Sequence, residues 1–233
     1  MGVYLHGSLA MNGFTLGKSD VDILVIVKEG LTEFQQRMVI EKAVSFEAKY
    51  PEYPLEFSVL LEEDSLHPVH PVYFDLHYSE YHKHQYLRDE HYFCRGGCDE
   101  DLAAHLMVTR RRGKCLYGKP VRLVIGEPDK KDFVQSICFD IDDASEKILE
   151  APVYYVLNLC RTAAYLKEGK ILSKKEGGEW GLANLPHHYY DLLGQCLQAY
   201  LNPDSNPTFN RRLLKGFASA MHSTIEDLKL PLF

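Results

Sequence analysis

The sequence predicts an α+β protein, with a strand-bearing domain over residues 1–126 and an all-α domain over residues 127–233. Three observations predict it. Residues 20–27 (Asp-Val-Asp-Ile-Leu-Val-Ile-Val) form a β-branched apolar run, and residues 55–61 (Leu-Glu-Phe-Ser-Val-Leu-Leu) form a second apolar run of strand length. A helical period fills the space between them. After about residue 127 strand signals stop, and apolar residues recur at helical spacing over 130–148, 152–168, 187–201 and 208–228.

Taken in order, residues 3–6 (Val-Tyr-Leu-His) read as a short strand that Gly7-Ser8 turns, with Leu9 to Met11 opening a helix or a tight loop. Residues 12–19 carry two glycines and read as loop. The run at 20–27 is the first long strand, bounded by Gly17 and Gly30. Thr32 and Glu33 cap a helix over 32–49, with Phe34, Met38, Val39, Ala43 and Phe46 at helical spacing, and Pro51 and Pro54 end it. The second long strand follows at 55–61. Residues 62–98 are rich in His, Tyr and Pro and read as irregular, with a short strand near 73–78. A helix over 99–113 closes on Arg110-Arg111-Arg112, cations placed where the helix dipole favours them. Glycines and prolines at 118–128 then lead into the helical half.

Composition narrows the class. The chain has 233 residues, 45% apolar and 25% charged, the balance of an ordinary globular protein and not of a disordered one. No apolar run approaches the ~18 residues that cross a bilayer, and Met1 to His6 lack the basic and apolar regions of a secretory signal. A cytoplasmic protein without a membrane partner is expected, as a monomer or weak dimer. Its six cysteines are expected to be reduced thiols. The net charge of −7 disfavours a nucleic-acid partner and suits a cationic small molecule.

The chemistry concentrates at the head of the first long strand. Residues two apart on a strand share a face, so Asp20 and Asp22 project together while Val21 and Ile23 face the other way. Strand formation gives no reason to hold two like charges side by side. A hard cation such as Mg²⁺ resolves the repulsion, taking one or two carboxylates and completing its shell with phosphate and water. The plain alternative is a solvated strand mouth. Upstream, Gly7-Ser8 follows a strand, and its backbone N–H groups and hydroxyl suit a terminal phosphate. A third acid, Glu56, lies on the second long strand opposite the apolar face of Leu55 and Phe57. Three acids on adjacent strands point to metal-assisted phosphoryl transfer, with Asp20 and Asp22 on Mg²⁺ and Glu56 orienting or deprotonating an acceptor hydroxyl.

Gly7-Ser8, eleven residues, then Asp20-Val21-Asp22-Ile23 resembles the signature of the polymerase-beta type of nucleotidyltransferase. The resemblance narrows to the aminoglycoside adenylyltransferases that modify spectinomycin and streptomycin. It rests on Leu55-Glu56-Phe57-Ser58-Val59, Asp101-Leu102-Ala103, Leu116-Tyr117-Gly118, Leu157 to Arg161, Lys174, Trp180, Leu185-Pro186 and Ala199-Tyr200-Leu201, in that order. It implies a nucleotidyltransferase domain with a mixed sheet, a helical C-terminal domain, ATP as co-substrate and Mg²⁺ as cofactor. By position, Ser8 and Ser19 match the family's phosphate-contacting serines, Asp20 and Asp22 its magnesium ligands and Glu56 its catalytic base. Arg161 and Lys174 match cations that reach the nucleotide phosphates, and Tyr200 a residue at the nucleotide.

The sequence departs from the family at three places. The family carries a helix ahead of its first strand, and here that strand starts at residue 3. Two drug-binding acids, four residues apart, precede the family's arginine-bearing helix. Glu146 and Glu150 have that separation but sit about one residue off, with Asp140, Asp142 and Asp143 adding acid nearby. Tyr81 stands where the drug-modifying enzymes place a Trp that contacts streptomycin.

The expected activity is transfer of AMP from ATP to a hydroxyl of an aminoglycoside or aminocyclitol. The rivals are transfer to another small molecule or to a protein hydroxyl, and an inactive nucleotide-binding module. Other signals carry less. His67-x-x-His70 and the Cys94/Cys98 pair miss zinc-site spacing, the arginine run reads as a solvated cap, and Gly177-Gly178 reads as loop rather than as a phosphate motif.

Overall fold

The computed structural model describes residues 1–202 and 204–230. The chain divides into two units, Met1–Phe133 and Val134–Phe233. The first is built on a six-stranded mixed sheet. Its strands are β1 (Gly2–Leu5), β2 (Val21–Val27), β3 (Leu55–Leu61), β4 (Val72–Tyr78), β5 (Arg95–Asp99) and β6 (Lys114–Gly118). Their order is β5-β4-β3-β2-β1-β6, with β2 and β3 parallel and the other neighbours antiparallel. The parallel pair is joined by α2 (Glu33–Lys49), whose start is fixed by a capping box between Thr32 and Gln35.

Alternation along β2 and β3 divides the apolar side chains between two cores. Ile23, Val25, Phe57 and Val59 pack with Ile40 and Ala43 of α2 on one face. Leu24, Ile26 and Leu60 pack with Tyr4 and with Leu102 and Leu106 of α5 (Leu102–Arg112) on the other. Glu47 of α2 is a buried acid with three bonds: it accepts from the Leu55 N–H at 2.6 Å and the Tyr78 hydroxyl at 2.8 Å, and pairs with Lys83 at 2.8 Å. It thereby pins the first residue of β3.

The segment 62–98, expected to be irregular with one short strand, is largely ordered. It holds α3 (Glu62–Leu66), β4, α4 (Glu80–Arg88) and β5. β5 reads Arg-Gly-Gly-Cys-Asp and β6 reads Lys-Cys-Leu-Tyr-Gly. Neither carries an apolar alternation, because both are edge strands and their side chains are mostly exposed. At the end of α5, Arg110 and Arg111 pair with Glu127 at the surface, and Arg111 stays exposed to solvent. Among the described residues no three His, Cys, Asp or Glu side chains gather so as to hold a metal ion, and all six cysteines are free thiols.

The second unit is all-α. The expected helix at 130–148 is broken into α6 (Lys130–Phe139) and α7 (Ala144–Lys147), and the unit boundary falls within α6. It continues with α8 (Pro152–Glu168), α9 (Lys174–Asn184), α10 (Tyr190–Leu201) and α11 (Arg211–Lys229). Its core gathers Leu157, Cys160, Trp180, Leu193, Phe217 and Met221. Gly177 and Gly178 lie inside α9, not in a loop. A Cβ on Gly177 would stand 2.9 Å from the Arg161 Cβ and 3.1 Å from the Leu157 carbonyl, so the missing side chain lets α9 seat on α8. Among the described residues no helix is long and apolar enough to cross a membrane.

Candidate active site

Asp22 and Glu56 are register partners across the parallel β2–β3 pair, which places their Cα atoms about 4.8 Å apart. Both share the sheet face of Leu24 and Leu60, and both are half-buried at the strand heads. Asp20 immediately precedes β2, two residues from Asp22 and on the same side by alternation. Register and alternation thus place the three acids named from the sequence at the head of the β2–β3 pair. That head is braced by backbone bonds. The Val21 N–H donates to the Pro54 carbonyl at 2.7 Å, the His6 N–H donates to the Asp22 carbonyl at 3.0 Å, and Glu47 holds the N–H of Leu55.

Gly7 starts α1 (Gly7–Ala10) and has φ +59°, a left-handed conformation that side chains disfavour. A Cβ there would fall 1.7 Å from the Asp22 Oδ2. Only glycine leaves room for that carboxylate. Next to it, the Ser8 hydroxyl is buried and has no hydrogen-bond partner in the protein. A buried orphan hydroxyl costs about 1–3 kcal/mol, and a phosphate oxygen would satisfy it. Ser19 is buried and staples its own loop, its hydroxyl oxygen accepting the Thr15 N–H at 3.1 Å. The acceptor lone pair is used locally, and the O–H remains the hydroxyl's donor.

The donor set fits Mg²⁺. It is all oxygen and hard, two carboxylates come from the protein, and the remaining positions are left to phosphate and water, which is how Mg²⁺ is usually held. The sequence signalled the acids because charge interrupts an apolar strand. It did not signal that Gly7 is cut to the shape of Asp22, a contact between the start of α1 and β2.

Behind the acids, on the same face, Ser58 lies two residues along β3 and its hydroxyl meets the His77 Nδ1 at 2.9 Å. Burial lowers the His77 pKa to about 4, against the opposing pull of Asp99 and with smaller help from His82 and His105. His6 is fully enclosed, its ring 4.9 Å from that of His105, and burial first and His105 second hold it well below the usual imidazole value. His77 and His6 are therefore neutral packing groups, and His70, one of the pair that suggested a metal, meets Glu100 at 2.8 Å. Tyr81, on α4, is 79% exposed.

In the helical unit, Arg161 and Lys174 come together on one array. Arg161 Nη2 donates to Asp140 Oδ2 at 2.8 Å, and the Tyr154 hydroxyl donates to the other oxygen of Asp140 at 3.0 Å. Lys174 sits 4.6 Å above the Tyr154 ring. Tyr154 and Arg161 are seven residues apart on α8, two turns along one face. Lys174 is the first residue of α9, which Ser173 and Glu176 cap reciprocally. Tyr200, near the end of α10, packs half-buried against the core. Glu146 is on the four-residue α7, which ends at Lys147, and Glu150 lies beyond it, both exposed, so the two acids do not share a helix face. Asp143 is taken by Lys147 and by the Tyr155 hydroxyl. Asp140 read only as one more nearby acid, because its partners lie 14 and 21 residues along the chain.

Two family models match the chain: "Nucleotidyltransferase domain" over residues 1–92 and "Aminoglycoside adenylyltransferase, C-terminal domain" over residues 124–224. The chain is 26% identical over 204 residues to the spectinomycin 9-adenylyltransferase of Staphylococcus aureus, covering 86% of this chain and 77% of that one. It is 23% identical over 222 residues to the aminoglycoside (3'') (9) adenylyltransferase of Escherichia coli, covering 91% and 81%. The crystal structure of the Enterococcus spectinomycin adenyltransferase AAD(9) with ATP and spectinomycin superposes with a TM-score of 0.77 at 19% identity, over 97% of this chain and 91% of that one. The mixed-sheet nucleotidyltransferase fold followed by a helical domain is therefore the observed architecture.

Proposed function

We infer the reaction from one premise: the chain belongs to the aminoglycoside adenylyltransferase family and is a nucleotidyltransferase. It moves AMP from ATP to a hydroxyl of an aminocyclitol or aminoglycoside such as spectinomycin or streptomycin, and releases pyrophosphate. The observation that carries this reading is the register pairing of Asp22 with Glu56, two residues on from Asp20, and the orphan Ser8 hydroxyl that follows Gly7 supports it. A purely nucleotide-binding module needs carboxylates for a metal but has no use for a base beside them.

Each residue has a distinct task. Asp20 and Asp22 hold Mg²⁺, which when bound offsets the triphosphate charge and draws electron density from the α-phosphorus. The Ser8 hydroxyl donates to a terminal phosphate oxygen, and Ser19 adds a second hydroxyl. Glu56 accepts the proton of the acceptor hydroxyl as its oxygen bonds to the α-phosphorus. The bond between that phosphorus and the bridging oxygen breaks, and the electron pair leaves with pyrophosphate. Arg161, Lys174 and Tyr200 are the nucleotide contacts of the helical unit. Tyr81, Glu146 and Glu150 are candidates for the acceptor, their aromatic and acidic character suited to a cationic ligand.

The test is pyrophosphate release from Mg-ATP with spectinomycin, streptomycin and other aminoglycosides offered in turn. Release that depends on one of these acceptors supports the reading. Release only with a different hydroxyl compound moves the activity to another acceptor, and no release with any acceptor while Mg-ATP binds leaves a nucleotide-binding module.

A further inference from the structure

We propose that Asp140 is a positioning residue for the nucleotide-binding cations, holding Arg161 directly and Lys174 through Tyr154. The proposal rests on the reading of Arg161 and Lys174 as phosphate contacts. Asp140 directly follows α6, where the chain breaks from helix, and its two oxygens are divided between two partners. Oδ2 takes Arg161 Nη2 at 2.8 Å and Oδ1 takes the Tyr154 hydroxyl at 3.0 Å. The Tyr154 ring then carries Lys174 at 4.6 Å. One carboxylate therefore sets the direction of two long, rotamer-rich cations that are far apart in sequence.

The geometry leaves Arg161 able to serve a phosphate. The bond to Asp140 uses Arg161 Nη2, and a guanidinium has five N–H donors. The cation–π contact draws the Lys174 ammonium to the Tyr154 ring face. The ion pair is partly shielded, with Asp140 at 21% and Arg161 at 29% side-chain exposure, so it persists better than a surface pair. Holding the side chains in place before ATP arrives removes part of the ordering cost of binding. Asp140 belongs by composition with Asp142, Asp143, Glu146 and Glu150 as acid for a cationic acceptor. Its bonds assign it to the nucleotide cations instead.

The experiment is calorimetric titration of Mg-ATP into the full chain and its Asp140→Ala, Arg161→Ala and Asp140→Ala/Arg161→Ala variants, with Tm recorded for each. We expect Asp140→Ala to weaken Mg-ATP binding about tenfold, and the double variant to bind no worse than Arg161→Ala alone, the non-additivity of two residues that act as one unit. A merely structural Asp140 would lower Tm and add its effect to that of Arg161→Ala. Additive losses, unchanged affinity in Asp140→Ala, or tighter binding there because a competing carboxylate is gone would each overturn the proposal. If Arg161→Ala itself leaves Mg-ATP affinity intact, the reading of Arg161 falls and the proposal with it. Tyr154→Phe, which keeps the ring under Lys174 and loses the bond to Asp140, is expected to weaken binding less than Asp140→Ala. An equal or larger loss would place the Lys174 restraint outside Asp140.

Discussion

The carboxylate of Asp22 occupies the space that a side chain on Gly7 would fill: a Cβ at Gly7 would stand 1.7 Å from Oδ2. The turn after β1 and the acid on β2 are therefore one unit, although fourteen residues lie between them in the chain.

Gly7→Ala is expected to be worse for activity than for folding. Placing alanine at φ +59° costs about 1–3 kcal/mol. The larger consequence is displacement of Asp22 from its place beside Glu56. The Tm should fall by several degrees, and turnover at saturating Mg-ATP should fall by far more than that stability loss accounts for. Thermal unfolding and steady-state kinetics on the same preparation check this; a variant with wild-type turnover would separate Gly7 from the site.

Two helical glycines should respond in opposite directions. Gly216, in α11, has open space where a Cβ would go, so Gly216→Ala should raise stability by about 0.5–1 kcal/mol. Gly177 faces the backbone of α8, which cannot move aside, and the overpacking cost of about 1–3 kcal/mol exceeds the propensity gain. Gly177→Ala should lower stability and, by lifting α9 from Arg161, weaken Mg-ATP binding. Urea denaturation of the pair gives the signs directly.

Asn158 lies in the core of the helical unit with neither its amide nitrogen nor its carbonyl oxygen partnered. Replacing an unsatisfied buried amide by an apolar group of similar shape removes a penalty of about 1–3 kcal/mol. Asn158→Leu should raise Tm. A lowered Tm would mean the amide has a role that its surroundings do not disclose.

Stability should depend on pH through His77. Its folded pKa lies near 4 because burial disfavours the charged ring, below the unfolded value of 6.5. Between those values the unfolded chain binds more protons than the folded one, so stability rises with pH across that window and falls as pH drops from 6.5 toward 4. Denaturant midpoints measured from pH 7 to pH 5 should decline, and His77→Gln should flatten the decline. An unchanged slope would assign it to other groups, His6 first among them.

What the sequence disclosed follows from how local each signal is. β2 and the acids on it were legible because β-branched residues and charge alternate within one run, and the limits of β3 and α8 were plain from Leu55–Leu61 and Pro152–Glu168. β5 and β6 escaped because edge strands need no apolar face. α4, Glu-Tyr-His-Lys-His-Gln-Tyr-Leu-Arg, escaped because its buried contacts are few and its polarity resembles loop. α9 escaped because paired glycines disfavour an isolated helix, and only packing on α8 reverses that preference. In the site, acids that break a strand pattern stood out. The link from Asp140 to Arg161 and Tyr154 is tertiary, and no spacing in the chain announces it.

The central claim is that Glu56 is the base beside a metal-holding pair. The direct measurement is pyrophosphate release from Mg-ATP by Glu56→Gln, with spectinomycin or streptomycin as acceptor and Mg-ATP affinity measured on the same variant. The account predicts turnover reduced about 10²–10⁴-fold with Mg-ATP binding retained. Release near the wild-type rate, or loss of turnover explained by loss of ATP binding, would contradict it.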